Sequence, residues 1–186
     1  DFEGRVSAKF SDFHVAVGGY YGKLGRNVQG SAPLRNYQRI NALVAYQGKI
    51  AKLPVTLGAE YFHSKNKAFN TSSPILSSSS PDSADGYSIF ASVAPFEKWS
   101  VFARHDVTDP SNELNSALLN RYCNVGIQYT PAKIINLALV YKRERAHSGA
   151  FSTSSLQSGV IGCSTVAVLV CSGSGSYDEF GLYGQF

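Results

Sequence analysis

The chain contains 186 residues, the length of one ordinary domain, and carries a formal net charge of +4 at pH 7. Charged residues make up only 16% of the chain and form no basic run, so nucleic-acid binding, which needs a clustered basic face, has little support. Mean hydropathy is −0.11, and no stretch approaches the roughly 18 apolar residues of a membrane-spanning helix, so helical spans are excluded.

Strand-like alternation of apolar and polar residues recurs along the whole chain, interrupted by turn residues. In the stretch 3–10, for example, Val6 and Ala8 share one face while Arg5 and Lys9 share the other. The same period of two predicts nine strands, each with an apolar and a more polar face. They cover residues 3–10, 13–23, 38–47, 54–64, 86–94, 98–107, 121–130, 134–145 and 177–186.

The connections between these strands alternate in length. Short connections lie at residues 11–12, 48–53, 96–98 and 131–133. Long, polar connections lie at residues 24–37, 65–85, 108–120 and 146–176. Tight periplasmic turns alternating with longer outer loops are typical of membrane barrels, so the fold class predicted is all-β, an antiparallel transmembrane β-barrel.

The direction of the strands bears on the size of the barrel. If the last strand ends on the periplasmic side, residue 1 enters from outside, and nine strands is an odd number, whereas single-chain bacterial barrels have an even one. We therefore expect residues 1–186 to be the C-terminal segment of a larger barrel of about sixteen to eighteen strands. The alternative is a complete single-domain barrel of about eight or ten strands, with one strand miscounted.

The final strand has an apolar face that ends on an aromatic residue. Its alternation resembles the closing strand of bacterial outer-membrane β-barrels, in which the terminal aromatic is part of the assembly signal. Gly184 departs from that pattern, because the third residue from the end is often aromatic there. The resemblance implies a bacterial outer-membrane location, contact with the bilayer and lipopolysaccharide, and recognition by the outer-membrane assembly machinery. The signal residues would be Phe180, Leu182 and Phe186.

Three segments in the second half of the chain resemble the final strands of porins of the phosphate-selective (O/P-type) group. They are Trp99-Ser-Val-Phe-Ala-Arg-His-Asp106, Tyr122-Cys-Asn-Val-Gly-Ile-Gln-Tyr-Thr-Pro131 and Leu137-Ala-Leu-Val-Tyr141. His105 stands where Tyr is usual in that group. The resemblance implies a water-filled channel, often a homotrimer, for small solutes or anions. No arginine ladder matches closely enough to transfer phosphate selectivity.

Charged residues on the polar faces are the candidates for a pore lining. Placing Arg or Lys on the lipid face near mid-membrane costs about 2–4 kcal/mol, which is why we assign them inward. Their slight cation excess favours anions, and Arg39 and Arg104 are expected to contribute. The alternative for Arg104 and Asp106 is that they pair across the sheet and brace the wall. The candidates are Arg5, Lys9, Arg39, Glu60, Arg104, Asp106, Lys142, Glu144 and Glu179.

Aromatic residues near the strand ends are predicted to face outward, where amphipathic rings suit a membrane interface. Ordinary strand propensity is the other explanation. Arg143 lies in the lipid-facing register, and we place it at the outer rim, within reach of headgroups. The aromatic residues are Tyr21, Tyr46, Tyr61, Tyr87, Trp99, Tyr129, Tyr141 and Phe186.

The long segment 146–176 contains an unusually apolar stretch between Cys163 and Cys171. These two cysteines are candidates for a disulfide that would restrain the loop, and two free thiols are the alternative. The stretch is expected to enter the barrel mouth, cover a neighbouring subunit or form a small hairpin. An extension of a strand above the membrane is the other interpretation.

No catalytic or metal-binding pattern emerges, and no cofactor is expected. The four histidines lack the spacing of a metal site. Because a barrel is expected and no catalytic pattern is present, the predicted function is passive diffusion of small hydrophilic solutes through the lumen. The alternative is a small structural or adhesion barrel that acts through its loops. Bulky side chains that face inward favour the small structural or adhesion barrel, whereas glycines that face inward favour an open lumen. The bulky residues are Phe62, Phe90, Phe102 and Tyr122, and the glycines are Gly18, Gly58, Gly126 and Gly181.

Overall fold

The computed structural model of the chain describes residues 1–23, 36–65, 82–113, 116–147, 150–152, 158–160 and 174–185. These ranges contain eleven β-strands and no helix. The strands are β1 (Phe2–Phe10), β2 (Phe13–Gly22), β3 (Tyr37–Ile50), β4 (Leu53–Lys65), β5 (Ser83–Phe96), β6 (Trp99–Asp109), β7 (Leu119–Ala132), β8 (Ile135–His147), β9 (Ala150–Ser152), β10 (Ser158–Val160) and β11 (Ser174–Gln185).

Nine of these strands form one antiparallel sheet in the order β1-β2-β3-β4-β5-β6-β7-β8-β11. Each strand pairs with its neighbour in sequence, except that β11 takes the place beside β8. The nine predicted strands and the all-β antiparallel class are thereby confirmed. The separate hairpin of β9 and β10 falls within the predicted connection 146–176 and was not predicted there.

Several strands extend further than the sequence predicts, because the hairpin turns are tighter. Ala51 and Lys52 have φ values of 50° and 71°, so both central residues of the β3–β4 turn are left-handed, as in type I′ turns. Only these two residues separate β3 from β4, although the alternation predicted the connection 48–53. Neither residue is the Asn or Gly that is usual in such a turn, so the sequence predicts a short connection there but carries no signal for its two-residue length.

The register shifts at two places, and each contains a proline. Pro95 lies between Val93 and Phe96 in β5, and Pro131 follows Tyr129 in β7. Proline has no backbone N–H to donate, so it interrupts the ladder and is accommodated as a bulge. Both bulges lie at the end of the sheet that carries the short turns.

The two faces of the sheet differ in the size and exposure of their apolar side chains. Large apolar side chains on one face are highly exposed, including Val6 (78%) and Leu182 (79%). The only buried hydrophobic residues in the described ranges lie on the other face and are mostly small: Ala16, Ala84, Val140 and Ala146. The described strands contact chiefly their hydrogen-bonded neighbours, so no second layer covers the apolar face there. Within these ranges, no helix is long and apolar enough to cross a membrane.

Candidate functional site

The polar face of the sheet carries all nine charged residues that the sequence predicts as a pore lining, and Arg143 lies on the apolar face. Cross-strand pairing places side chains in rows that run along the hydrogen-bond direction, and residues two apart on a strand occupy adjacent rows. The nine residues on this face are Arg5, Lys9, Arg39, Glu60, Arg104, Asp106, Lys142, Glu144 and Glu179.

The register sorts these charges by sign. One row, nearer the short turns, aligns Lys9, Arg104 and Lys142 and ends on Glu179. The adjacent row holds only carboxylates among its charged members: Glu60, Asp106 and Glu144. A band of cations beside a band of anions sets up a local field across the polar face.

Ion pairs link some of these charges to neighbours. Arg104 Nε donates to Asp106 Oδ1 at 2.8 Å, and because both residues are on β6, the pair runs along the strand instead of across the sheet. Arg39 lies 3.6 Å from Glu3, which is two strands away. Within the described part of the chain, no ion pair includes Arg5 or Lys9. Both residues lie on the edge strand β1.

Lys142 is the most enclosed of the cations. Its ammonium lies 3.5 Å from Glu179 Oε1 and 4.4 Å from the centre of the Tyr183 ring, whose hydroxyl it also contacts. Tyr183 in turn donates to Glu179 Oε1 at 3.0 Å. These contacts hold the three side chains against the sheet at the β8–β11 pair, so their charges are fixed in position.

Three phenylalanines of the polar face lie over glycines. Phe90 is directly paired with Gly58, and a Cβ atom on Gly58 would lie 2.1 Å from Phe90 Cζ. Phe62 covers Gly86 in the same way, with a closest approach of 2.3 Å. The third such pair, Phe102 over Gly126, has a closest approach of 2.4 Å. The rings use the space that the glycines leave and therefore lie along the sheet.

The apolar face is bordered by aromatic residues at both ends of the strands. At the short-turn end, the rings of Phe13 and Tyr46 are 5.2 Å apart, and those of Trp99 and Tyr129 are 4.6 Å apart. The Tyr46 hydroxyl donates to the Lys49 carbonyl at 3.2 Å, directed towards the turn.

At the opposite end, tyrosine hydroxyls bond to polar groups beyond the apolar band. Tyr141 packs on Phe180 with ring centres 4.9 Å apart and donates to Asp178 at 2.5 Å. Tyr61 donates to Asp85, and Tyr21 accepts from the Asn36 amide at 2.6 Å. The aromatic rings lie in the apolar band and the hydroxyls lie at its margins. Amphipathic residues at a membrane–water interface have this arrangement.

A polar network fixes the long-loop end of β5 and the segment after β6. Asn112 donates to Asp85 Oδ2 at 2.6 Å, and His63 Nδ1 lies 2.8 Å from the other oxygen of Asp85. The Glu113 carboxylate accepts from the Ser83 hydroxyl at 2.8 Å and also from the Ser83 amide. Ser83 is buried, so the segment 110–113 is anchored to the first residue of β5. The sequence predicted this segment only as part of a long connection.

Acidification is expected to release this anchor. The Ser83 hydroxyl bond, aided by the Ser83 amide, holds the pKa of Glu113 below its usual value of 4.5. A lowered folded-state pKa means that the stabilisation is present above the ordinary value and is lost as pH falls through the folded one. The Ser83 amide shift in an NMR titration should therefore move with a midpoint below 4.5. The Glu113→Gln variant should show no such step, and a midpoint above 4.5 in the parent would contradict the assignment.

Some of the predicted features fall outside the described residues. Cys163, Cys171 and Phe186 lie there, so the disulfide and the terminal part of the assembly signal stay predictions. Cys123 is an exposed free thiol on the apolar face. Among the described residues, no group of three or more His, Cys, Asp and Glu side chains is arranged to hold a metal.

Comparison with protein families, with curated proteins and with solved structures finds no match to this chain. The geometry of the two faces is therefore the basis for inferring a function. Two parts of that geometry were missed in the sequence. The pairing of phenylalanines with glycines depends on cross-strand register, and so does the sorting of charges into rows, and neither is visible in a single strand.

Proposed function

We propose that the chain forms part of the wall of an outer-membrane β-barrel that lets small hydrophilic solutes and ions diffuse through a water-filled lumen, with a weak preference for anions. The apolar face contacts lipid and the polar face lines the lumen. No chemical step is involved in this function, and no cofactor is required for it.

The observation that carries the proposal is the exposure of the apolar face. Side chains such as Phe180 (77%) and Leu139 (56%) would be a severe liability in water, because contiguous exposed apolar surface drives association. In a bilayer the same surface is satisfied by lipid, and its aromatic margins match the two interfaces. The charges on the opposite face then need water, which a lumen supplies.

The edges of the sheet support a closed structure in the membrane. Within the described residues, β1 pairs only with β2 and β11 only with β8, which leaves one edge of each strand open. Open sheet edges do not occur in the hydrocarbon region, since no water is present to satisfy their backbone groups. In the proposal these edges pair with further strands, in a barrel of about sixteen to eighteen.

The phenylalanine–glycine pairs favour an open lumen over a filled one. Phe62, Phe90 and Phe102 would obstruct a narrow barrel if they projected inward, but each occupies the space above a glycine. Three of the four bulky residues that favoured a small filled barrel thus lie against the wall, whereas Tyr122 is paired with Asp106 and Glu144 and not with a glycine. This arrangement supports an open lumen. In the proposal the barrel lies in the bacterial outer membrane, the assembly machinery recognises the β11 region, and the channel is a homotrimer.

Conductance in a planar bilayer tests the proposal. The reconstituted protein should give stepwise currents, and the reversal potential in a salt gradient should indicate a weak anion preference. The Arg39→Gln/Arg104→Gln variant should shift that potential towards cation selectivity, because two fixed positive charges are removed from the polar face. The Lys98→Gln/Lys133→Gln variant removes the same charge from two short turns and should shift it less.

The outcomes of this experiment separate the two parts of the proposal. Absence of stepwise currents from membrane-inserted protein would overturn the channel. Currents whose reversal potential does not respond to the Arg39 and Arg104 changes would overturn the role of those residues only.

A structural or adhesion barrel is the second candidate, and the polar network at the long-loop end favours it. Hydrogen bonds of Ser83 with Asn112 and Glu113 hold the segment 110–113 against β5, which would present a fixed surface to a binding partner. A protein that inserts, does not conduct, and binds a surface through this end would support the second candidate.

A further inference from the structure

A cluster of arginines lies on the apolar face at the long-loop end of β7, β8 and β11. Arg121 and Arg145 are direct cross-strand partners, and Arg143 occupies the next position towards the apolar band. They border an open groove of about 510 Å³ together with His147, Ser174 and Ser176. We call these six residues the arginine groove. Its position matters because charges are rare on this face of the sheet.

The arginine groove lies immediately above the aromatic margin. Proceeding along β8 from the apolar band, Leu139 and Tyr141 are followed on the same face by Arg143 and Arg145. On β11 the same order holds, because Leu182 and Phe180 lead to Asp178 and then Ser176. A ligand with acyl chains against the apolar band would therefore present its headgroup to the arginines.

The groove has an excess of positive charge. Asp178 lies 3.6 Å from Arg143 and also accepts the Tyr141 hydroxyl, so one arginine is matched by one carboxylate. Asp109, at the end of β6, accepts a hydrogen bond from the Ser111 amide at 3.4 Å. No ion pair in the described ranges includes Arg121 or Arg145.

The decisive feature is that Arg121 and Arg145 lie directly opposite each other on neighbouring strands. Like charges directly opposite each other on a sheet are destabilising. An anion between them removes the repulsion and accepts hydrogen bonds from both guanidinium groups, whose planar fork matches a phosphate. The Ser176 hydroxyl, on the neighbouring strand, supplies a further donor, and the Ser174 hydroxyl is hydrogen-bonded to His147 Nδ1.

We propose that the arginine groove binds a phosphate group on the headgroup of an outer-leaflet lipid, with the acyl chains of that lipid lying against the apolar band below. The inference rests on the proposed membrane orientation. A phosphate group is common to the lipid headgroup and to a free phosphate anion. The adjoining apolar surface selects the lipid over the free anion.

Binding to purified lipid A tests the inference. Bis-phosphorylated lipid A is titrated into the detergent-solubilised full chain, and its affinity is compared with those of the dephosphorylated lipid and of inorganic phosphate. The parent should bind the phosphorylated lipid about tenfold or more tightly than the Arg121→Gln/Arg145→Gln variant, since charge-assisted bonds are lost. The Lys98→Gln/Lys133→Gln variant, with the same net charge, should bind like the parent.

Three results would overturn the inference. Equal binding by the Arg121 and Arg145 variant, or an equal loss in the lysine control, would show that the groove is not the site. Binding of inorganic phosphate as tightly as the lipid would identify a free-anion site. Conductance is measured on the same variant and should equal that of the parent, so a failure of lipid binding is distinguishable from a failure of the channel.

Discussion

Replacing Leu139 by arginine is expected to destabilise the folded protein in lipid vesicles by about 2–4 kcal/mol, the cost of a cation facing the hydrocarbon at mid-membrane. Leu139 is 56% exposed on the apolar face and lies level with Ile127 and Leu182. The free energy of unfolding is measured by denaturant titration in vesicles, and the midpoint should fall markedly.

Ala138→Arg is the matched control, because the two residues are adjacent on β8 but lie on opposite faces. Ala138 is level with Gln128 and Tyr183 on the polar face, where a guanidinium remains in water. The control should cost less than about 1 kcal/mol, as lumen substitutions tune selectivity more than stability. If the two variants were equally stable in lipid, the apolar face would not be the lipid face.

Adding one methyl group at Gly58 is the second change with a large expected effect. Gly58→Ala should destabilise the protein by about 1–3 kcal/mol, because the new Cβ collides with the Phe90 ring and forces it away from the sheet. The present closest approach of that Cβ would be 2.1 Å. The displaced ring should also reduce single-channel conductance, since it then projects into the lumen.

Gly4→Ala provides the control for the glycine series. A Cβ on Gly4 meets no atom within 4 Å, so alanine there should be neutral or stabilise the strand by about 0.5–1 kcal/mol. In a Phe90→Ala background, Gly58→Ala should lose most of its cost, which a double-mutant cycle measures. Equal effects of the Gly4 and Gly58 substitutions would show that the ring does not need the glycine.

The strands were predictable because alternation is a local signal. In β7, Val125, Ile127 and Tyr129 alternate with polar or small residues, and the structure places the two sets on opposite faces. Each strand carries this pattern within about ten residues, so no knowledge of its partners is needed.

Register was not predictable in the same way, because it depends on turn geometry. The pairing of Gly58 with Phe90, for instance, follows from where β4 ends and β5 begins, and that connection is long. A slip of one residue would exchange the faces, and a slip of two would separate the ring from its glycine. The pair along β6 was different, since Arg104 and Asp106 are two residues apart and therefore share a face. That spacing is a local signal for a pair along the strand, and the cross-strand pair predicted as the alternative is wrong.

The sequence carries no local signal for the contacts of the polar network at the long-loop end. Glu113 and Ser83 are 30 residues apart, and neither belongs to an alternating pattern that would bring them together. Hydrogen bonds between a strand end and a distant connection depend on the tertiary structure, so only coordinates reveal them.

The nearest-neighbour order of the strands has a consequence for how the protein acquires its structure. Because β1 to β8 pair successively, each strand provides the template edge for the next. The connections are two residues long at the tight turns and longer at residues 23–36, 66–82 and 110–118, but all are shorter than the segment before β11, so less chain entropy is lost at each of these steps. The exception is β11, which pairs with β8 although residues 148–173 separate the two strands in the chain. Assembly is therefore expected to proceed as a sequential zipper, with the β8–β11 seam as its slowest step.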